Sequence, residues 1–345
     1  MGIELQTLTP LWTGGADGKV DRIHETGLLG SLRWWYEVMV RGTGGEVCDT
    51  VSSGCVLDDR KVGLCDVCQL FGATGWRRRF RLSLAHNQVK SMSDFPQKIT
   101  ASPPRIRGSG TGQPSWYFQY QDDQMRKPNS PMSGSFSVHI QSLVPTFPAE
   151  VIAGLVQFVA DWTAIGARAQ MGFGVSQVQG ERVDTAPLYN HLAACQGSKT
   201  YSNLPSLNNM FLARIQVTNQ QPQETFNLKY DLRALFRGNT TVRHFIMGTV
   251  DKKSPVGPER MAAKIKMSHP YGDGLMRVWG WVPALPKGAE MERDEVLTAI
   301  HAHLESNYPI ECWREMNSDR DTQTKQQTDA SAFLRSLLQG EDTQP

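Results

Sequence analysis

The chain has 345 residues, with 36 Lys or Arg against 34 Asp or Glu, a formal net charge of +2, and 39% apolar residues. That length allows two domains with full-sized cores, and the lack of any apolar run of about eighteen residues excludes a membrane-spanning helix. The opening MGIELQTLTP has no basic and apolar leader pattern, and six cysteines are too few for a disulfide scaffold, so a cytoplasmic protein with reduced thiols is expected.

Residues Ile3 to Thr9 alternate and Pro10 limits them, which predicts a first strand. A turn-rich loop, WTGGADGK at 12–19, leads to a helix. There Leu28, Leu32, Trp35 and Met39 recur at four-and-three spacing, and Leu29 and Tyr36 widen the stripe into a core-facing surface. Arg33, Glu37 and Arg41 lie four apart on the opposite face, as either a self-paired solvated row or a binding face. Cys48, Cys55, Cys65 and Cys68 follow with spacing C-x6-C-x9-C-x2-C. The C-x2-C knuckle can present two thiolates to one tetrahedral ion, and the Gly-containing loop can bring the other pair round. A structural zinc site is expected, with four unliganded loop cysteines as the alternative. Cys195 and Cys312 stand alone and read as core residues.

From Trp76 to Leu84 the chain again alternates. Trp76, Arg78, Phe80 and Leu82 share one parity, and Arg77, Arg79, Arg81 and Ser83 the other. One face of a strand repeats at about 6.6 Å, close to the spacing of successive phosphates along an extended single strand. Arg77, Arg79 and Arg81 are therefore candidate phosphate contacts; the alternative is a polar face paired with acids. Between Trp76 and Lys127 there are ten Lys or Arg against three Asp, a local net of +7. The stretch from His86 to Pro131 is rich in Ser, Pro, Gly and Gln and carries Arg105, Arg107, Trp116, Tyr117, Phe118 and Tyr120. This composition predicts an inserted basic loop or hairpin, whose aromatics either stack on bases or form a satellite core.

Phe136 to Leu143 reads as a strand, and Pro148 opens a helix with Val151, Leu155, Phe158 and Trp162 as its buried stripe. In the following IGARAQMGFG, Gly166, Gly172 and Gly174 bracket Arg168 and Gln170. Such glycines permit positive φ and close backbone approach, suited to a turn or to a loop laid against phosphates. Strand, helix, strand, strand, helix, strand is the ferredoxin-like order. It partly repeats through Asn209–Thr218, Leu228–Gly248, Ala262–Ser268, Leu275–Val282, Val296–Leu304 and Ile310–Met316. The fold class is α+β: two fused ferredoxin-like (βαββαβ) domains at 1–185 and 207–316. The first contains the cysteine-rich loop and the insertion. A polar tail at 317–345 is expected to dock one helical turn, AFLRSLL at Ala332–Leu338.

The blocks LTPLWTGG, ETGLLGSLRWWYE, CDVCQLFGATGWRRRFRL, IGARAQMGFG and MRVWGWVP resemble the RAMP superfamily of CRISPR effector subunits. The sequence is most similar to the family of first-numbered subunits of the type III-B Cmr complex. The resemblance implies two fused ferredoxin-like domains inside a multi-subunit ribonucleoprotein of antiviral defence. The subunit would lie at the end of the complex away from the 5' repeat tag, holding the 3' region of the guide (CRISPR) RNA and the target RNA paired with it. Cleavage would belong to a different, backbone-forming subunit. Implied partners are these RNAs and other Cmr subunits, with no membrane and no small-molecule substrate. Residue by residue, the family's basic first helix corresponds to Arg33, its glycine loop to Gly166 through Gly174 including Arg168, and its post-cysteine strand to Trp76 through Leu84. The stretch from His86 to Pro131 matches no fixed family pattern, so RNA contacts at Arg105 and Arg107 rest on composition alone. Some relatives are endoribonucleases, which makes guide-RNA processing the alternative function. Eight histidines are scattered without a pair that fixes acid and base roles. His24, at the mouth of the first helix, is the lone candidate, and non-catalytic binding is the expectation.

Overall fold

The computed structural model describes residues 1–15, 20–49, 54–56, 63–103, 112–118, 130–250, 256, 260–323, 327 and 329–340. The first strand, β1 (Gly2–Thr7), alternates as its sequence does, with Ile3 and Leu5 buried. The apolar stripe of the next segment forms α1 (Glu25–Gly42), which buries Leu28, Leu32, Trp35, Tyr36 and Met39. Thr43 closes it by donating its hydroxyl to the Met39 and Val40 carbonyls. Then come α2 (Asp66–Phe71), β2 (Phe80–Ser91), β3 (Lys98–Thr100), β4 (Ser115–Tyr117), β5 (Met132–Ser142), α3 (Glu150–Trp162), β6 (Ser176–Val178) and α4 (Ala186–Ala194). The main sheet has the order β2-β5-β1-β6 with every neighbour antiparallel.

The second half repeats this plan with β7 (Met210–Gln216), α5 (Gln223–Leu235), α6 (Thr240–Met247), β8 (Ile265–Met267), β9 (Leu275–Trp281), α7 (Arg293–Asn307) and β10 (Ile310–Glu315). Its sheet has the order β10-β7-β9-β8, again antiparallel throughout. In both sheets the order is fourth, first, third, second strand of that half, counting β1, β2, β5 and β6 in the first. β7 is buried on both faces because it separates two cores. Phe211, Ala213 and Ile215 pack toward α5 and α7, whereas Met210 and Leu212 join the core of the first half.

The final helix, α8 (Ala330–Gln339), returns to the first half. Phe333, Leu334, Leu337 and Leu338 enter its core. Trp162 Nε1 donates to the Leu337 carbonyl at 2.9 Å, and Thr185 Oγ1 to the Leu338 carbonyl at 2.9 Å. Eleven residues of α3 are buried, more than one sheet can shield, and α1 and α4 pack on it from the other sides, with α8 in turn packed on α1 and α4. The tail is thus a full helix rather than a single turn, and the stretch 186–206 contains α4, packed on α3.

Two further expectations are corrected. The strand predicted from Trp76 begins at Phe80, opposite Ser142. Trp76 to Arg79 instead form a turn tied back to α2, with Arg79 N–H donating to the Leu70 carbonyl at 3.1 Å. The insertion is shortened because β2 continues to Ser91, and β3 with β4 makes a small hairpin. Within it, Trp116 lies 4.7 Å from Phe226 and Phe118 is buried against Phe95 and Phe173, so these aromatics join the core. Tyr117 alone of the three is exposed. Arg105, Arg107 and Tyr120 lie outside the described residues.

Candidate nucleic-acid interface and cysteine cluster

Cys48, Cys55, Cys65 and Cys68 converge, with all four sulfur atoms within 4.8 Å of one another. Cys48 Sγ and Cys68 Sγ are 3.6 Å apart. Zn–S bonds of ~2.3 Å in a tetrahedron separate sulfurs by about 3.8 Å, so the donor set fits one such ion. The local fold explains the convergence. Asp66 clamps the loop, accepting from Glu46 N–H at 2.7 Å while its own N–H donates to the Glu46 carbonyl at 3.0 Å. Cys65 caps α2 by accepting from Cys68 N–H at 3.4 Å, and Cys55 Sγ accepts from Cys65 N–H at 3.4 Å. Burial pushes the Cys68 thiol well up, and its Cys65 and Cys48 neighbours add to the effect. Four thiolates in this space need a cation between them.

Arg33 belongs to this cluster. Its guanidinium donates to Cys68 Sγ at 3.3 Å, to the Gly72 carbonyl at 3.2 Å and to Glu37 Oε1 at 3.1 Å, while Arg41 donates to Glu37 Oε2 at 3.0 Å. The Arg-Glu-Arg row is therefore paired with itself and with the cysteine loop, and the Arg33 donors named here are spent inside the protein.

Four arginines crowd the turn after α2 and the start of β2. Arg77 and Arg81 are exposed, and Arg78 and Arg79 are half-buried. Arg77, Arg78 and Arg79 line a groove of about 290 Å³ with Trp76, Leu143, Val144 and Thr146. Arg78 Nε donates to the Phe80 carbonyl at 2.8 Å, with its guanidinium 5.2 Å from the Phe80 ring, and Arg79 lies 5.9 Å from the Trp76 ring. Burial lowers the Arg78 pKa, and the neighbouring Arg81 charge lowers it further. Among the described residues, no acidic side chain forms an ion pair with any of the four.

The glycine loop divides into two parts. Gly172 (φ 100°) and Gly174 (φ 94°) are buried against protein. A Cβ at Gly172 would lie 2.6 Å from the His269 ring, and one at Gly174 would run into the Ile165 carbonyl. His269 N–H donates to the Gly172 carbonyl at 2.9 Å, and Lys229 Nζ to the Gln170 carbonyl at 2.6 Å. Gly172 thus lets the loop dock on the second half, whereas Gly174 packs the loop against Ile165 and Pro10 within the first. Arg168, itself at φ 59°, stacks 3.8 Å from the centre of the Trp12 ring. Gly166 (φ 89°) is stitched to α1, its N–H donating to Ser31 Oγ at 2.9 Å.

Beside Gly166 a cleft of about 340 Å³ opens between the halves, lined by Gly27, Gly30 and Trp34 of α1 and by Lys266 and Trp279 of the second sheet. Lys266 Nζ sits 4.5 Å from the centre of the Trp34 ring, and burial pulls its pKa down to about 8. The sequence reading missed Gly30 and Lys266. Their signals were a glycine inside an amphipathic helix and a lysine between the buried Ile265 and Met267. His24 pairs with Asp21 at 2.7 Å and donates its backbone N–H to Thr13 Oγ1 at 2.9 Å, at the entrance to α1.

The family model of the RAMP superfamily matches residues 4–175. Among solved structures, the chain is similar to Cmr1 from Pyrococcus furiosus in its apo form, at 12% identity and a TM-score of 0.44, over 90% of this chain and 97% of that one. It is also similar to a chain of the type III-B Cmr-beta complex bound to cognate target RNA and AMPPnP in the presence of ssDNA, at 9% identity and TM-score 0.44, over 89% and 99% of the two chains. A chain of Cmr-beta bound to cognate target RNA matches at 9% identity and TM-score 0.41, over 87% and 99%. No curated protein matches the sequence.

Proposed function

Through residues 4–175 this chain belongs to the RAMP superfamily, and from that premise we propose that it is a non-catalytic RNA-binding subunit of a type III-B CRISPR (Cmr) effector. In this reading it holds the 3' region of the guide RNA and the target RNA paired with it. The observation that carries the reading is the group of four arginines without acidic partners among the described residues, Arg77 and Arg81 being exposed. Crowded cations repel one another, and a polyanion relieves that repulsion. Phosphate contacts fix position without reading bases. A subunit whose specificity comes from guide-target pairing needs no more.

We read the two sheets, with their shared strand order, as two ferredoxin-like domains corresponding to 1–185 and 207–316, with α8 serving the first. The metal at the four cysteines is zinc, which favours all-sulfur tetrahedral sites, and its role is a structural cross-link. Cys65 and Cys68 would anchor α2, and α2 positions the arginine turn through the contact between Leu70 and Arg79. The test is to purify the tagged chain from cells expressing its effector complex, sequence the bound RNA and identify the partner proteins. Guide-derived RNA and other RAMP subunits are expected. An isolated chain that cleaves repeat RNA, with activity abolished by His24→Ala, would instead make it a processing endoribonuclease.

A further inference from the structure

We propose that the cleft between α1 and β8 seats one phosphodiester of the RNA strand, so that the strand crosses from the first half of the protein to the second at this point. The inference rests on the RNA-binding reading and adds a site to it. On the α1 side the cleft exposes backbone at Gly27 and Gly30, flanked by Thr26, Ser31, Trp34 and Trp35. Gly30 lies inside the eighteen-residue α1, is exposed, and would meet nothing within 4 Å if it carried a Cβ. Other helical glycines have internal reasons: a Cβ at Gly42 would strike Leu207 at 2.6 Å, and one at Gly154 would press on Leu188 at 3.0 Å. Nothing in this chain requires glycine at 30, and glycine there weakens the helix. A partner that approaches the backbone closely does require it.

The roof supplies the charge. Lys266 projects from β8 over Trp34, and no hydrogen-bond acceptor for its ammonium is found among the described residues. No Asp or Glu lines the cleft. An ammonium held partly out of water with its donors unused is matched by an anionic oxygen. Bare backbone on one side and a lone cation on the other suit a phosphate group. A phosphodiester within RNA and the phosphate of a free mononucleotide share that chemistry.

The experiment measures binding of the full-length protein to a fluorescein-labelled single-stranded RNA by anisotropy across a salt series, with thermal melts of each variant. Gly30→Leu should hold or raise the melting temperature while weakening binding about tenfold, and Lys266→Met should weaken it to a similar degree. Lys266→Met should also reduce the salt slope by roughly one. If both variants bind like wild type while Arg81→Ala binds less well, the cleft proposal fails and the RNA-binding reading stands. If wild type binds no RNA, both fail. If AMP displaces the RNA at comparable concentration, the cleft is a mononucleotide site and the proposal is overturned.

Discussion

Arg33 on α1 donates a hydrogen bond to Cys68 Sγ at 3.3 Å, joining the first helix to the cysteine cluster through a side chain thirty-five residues away in sequence. The same guanidinium holds the Gly72 carbonyl at the end of α2. Arg33→Ala should therefore act on stability and metal retention. Losing these charge-assisted bonds costs about 2 kcal/mol, and zinc should pass to a chelator faster than from wild type. Urea melts and a chelator time course check this, and RNA affinity should change less than about twofold, the scale of a few tenths of a kcal/mol.

Zinc content gives the second expectation. Elemental analysis should find about one zinc per chain, and Cys65→Ser should abolish it. Because α2 carries the carbonyl that accepts from Arg79, loss of metal should also loosen the arginine turn, read as faster amide exchange at 76–79. Metal-free protein with unchanged exchange and melting temperature would remove the metal from the account.

Some of this was legible in the sequence and some was not, for physical reasons. The four-and-three stripe of α1 and the alternation of β1 are local patterns set by burial of one face, so periodicity finds them. The four cysteines are close in sequence, and their spacing announced their convergence. The arginine run misled because alternation of Arg with Trp, Phe and Leu satisfies a strand template, whereas the start of β2 is set by its pairing with Ser142 on β5. Contacts such as Gly172 with His269, Lys266 with Trp34, and Trp162 with Leu337 join distant segments, and no window of sequence contains both partners.

Two glycines should respond with opposite signs. Gly172 has φ 100° and faces the His269 ring, so Gly172→Ala should destabilise the protein by about 1–3 kcal/mol through strain and a displaced ring. Gly30 is helical and open, so Gly30→Ala should stabilise it by up to about 1 kcal/mol. Thermal or urea melts of the pair decide it, and equal destabilisation by both would refute the distinction.

Lys266 sets a pH dependence. Its pKa is lowered by burial to about 8 from an ordinary 10.5. Below about 8 the folded protein carries the cost of a desolvated ammonium. Between about 8 and 10.5 the unfolded chain binds the proton more readily than the folded one, so stability contributed at this site rises with pH. Lys266→Met should therefore gain on wild type at pH 7, the difference narrowing as pH climbs through that window. A bound phosphate would hold the proton on Lys266, so RNA affinity of wild type should fall as pH rises through about 8 and that of Lys266→Met should stay flatter. Parallel pH profiles for the two proteins would contradict this.

The arginine turn gives the last expectation, because its side chains divide by what they touch. Arg78 donates to the Phe80 carbonyl and lies over the Phe80 ring, where β2 enters the core. Arg78→Ala should therefore lower stability by about 1–2 kcal/mol, as loss of a charged hydrogen bond does. Arg77 and Arg81 are exposed and have no acidic partner among the described residues, so their removal should leave the melting temperature close to that of wild type or slightly above it, since crowding is relieved. What they should cost is RNA. With each guanidinium contributing one phosphate contact, the double variant Arg77→Ala, Arg81→Ala should reduce the slope of log affinity against log salt by roughly 1.4 to 1.8. The loss should be the same for unrelated RNA sequences, because contacts to phosphate carry no base identity. Anisotropy titrations with two unrelated oligonucleotides at several salt concentrations measure both quantities. A loss confined to one sequence would mean that the groove reads bases, and an unchanged salt slope would mean that the strand lies elsewhere on the protein.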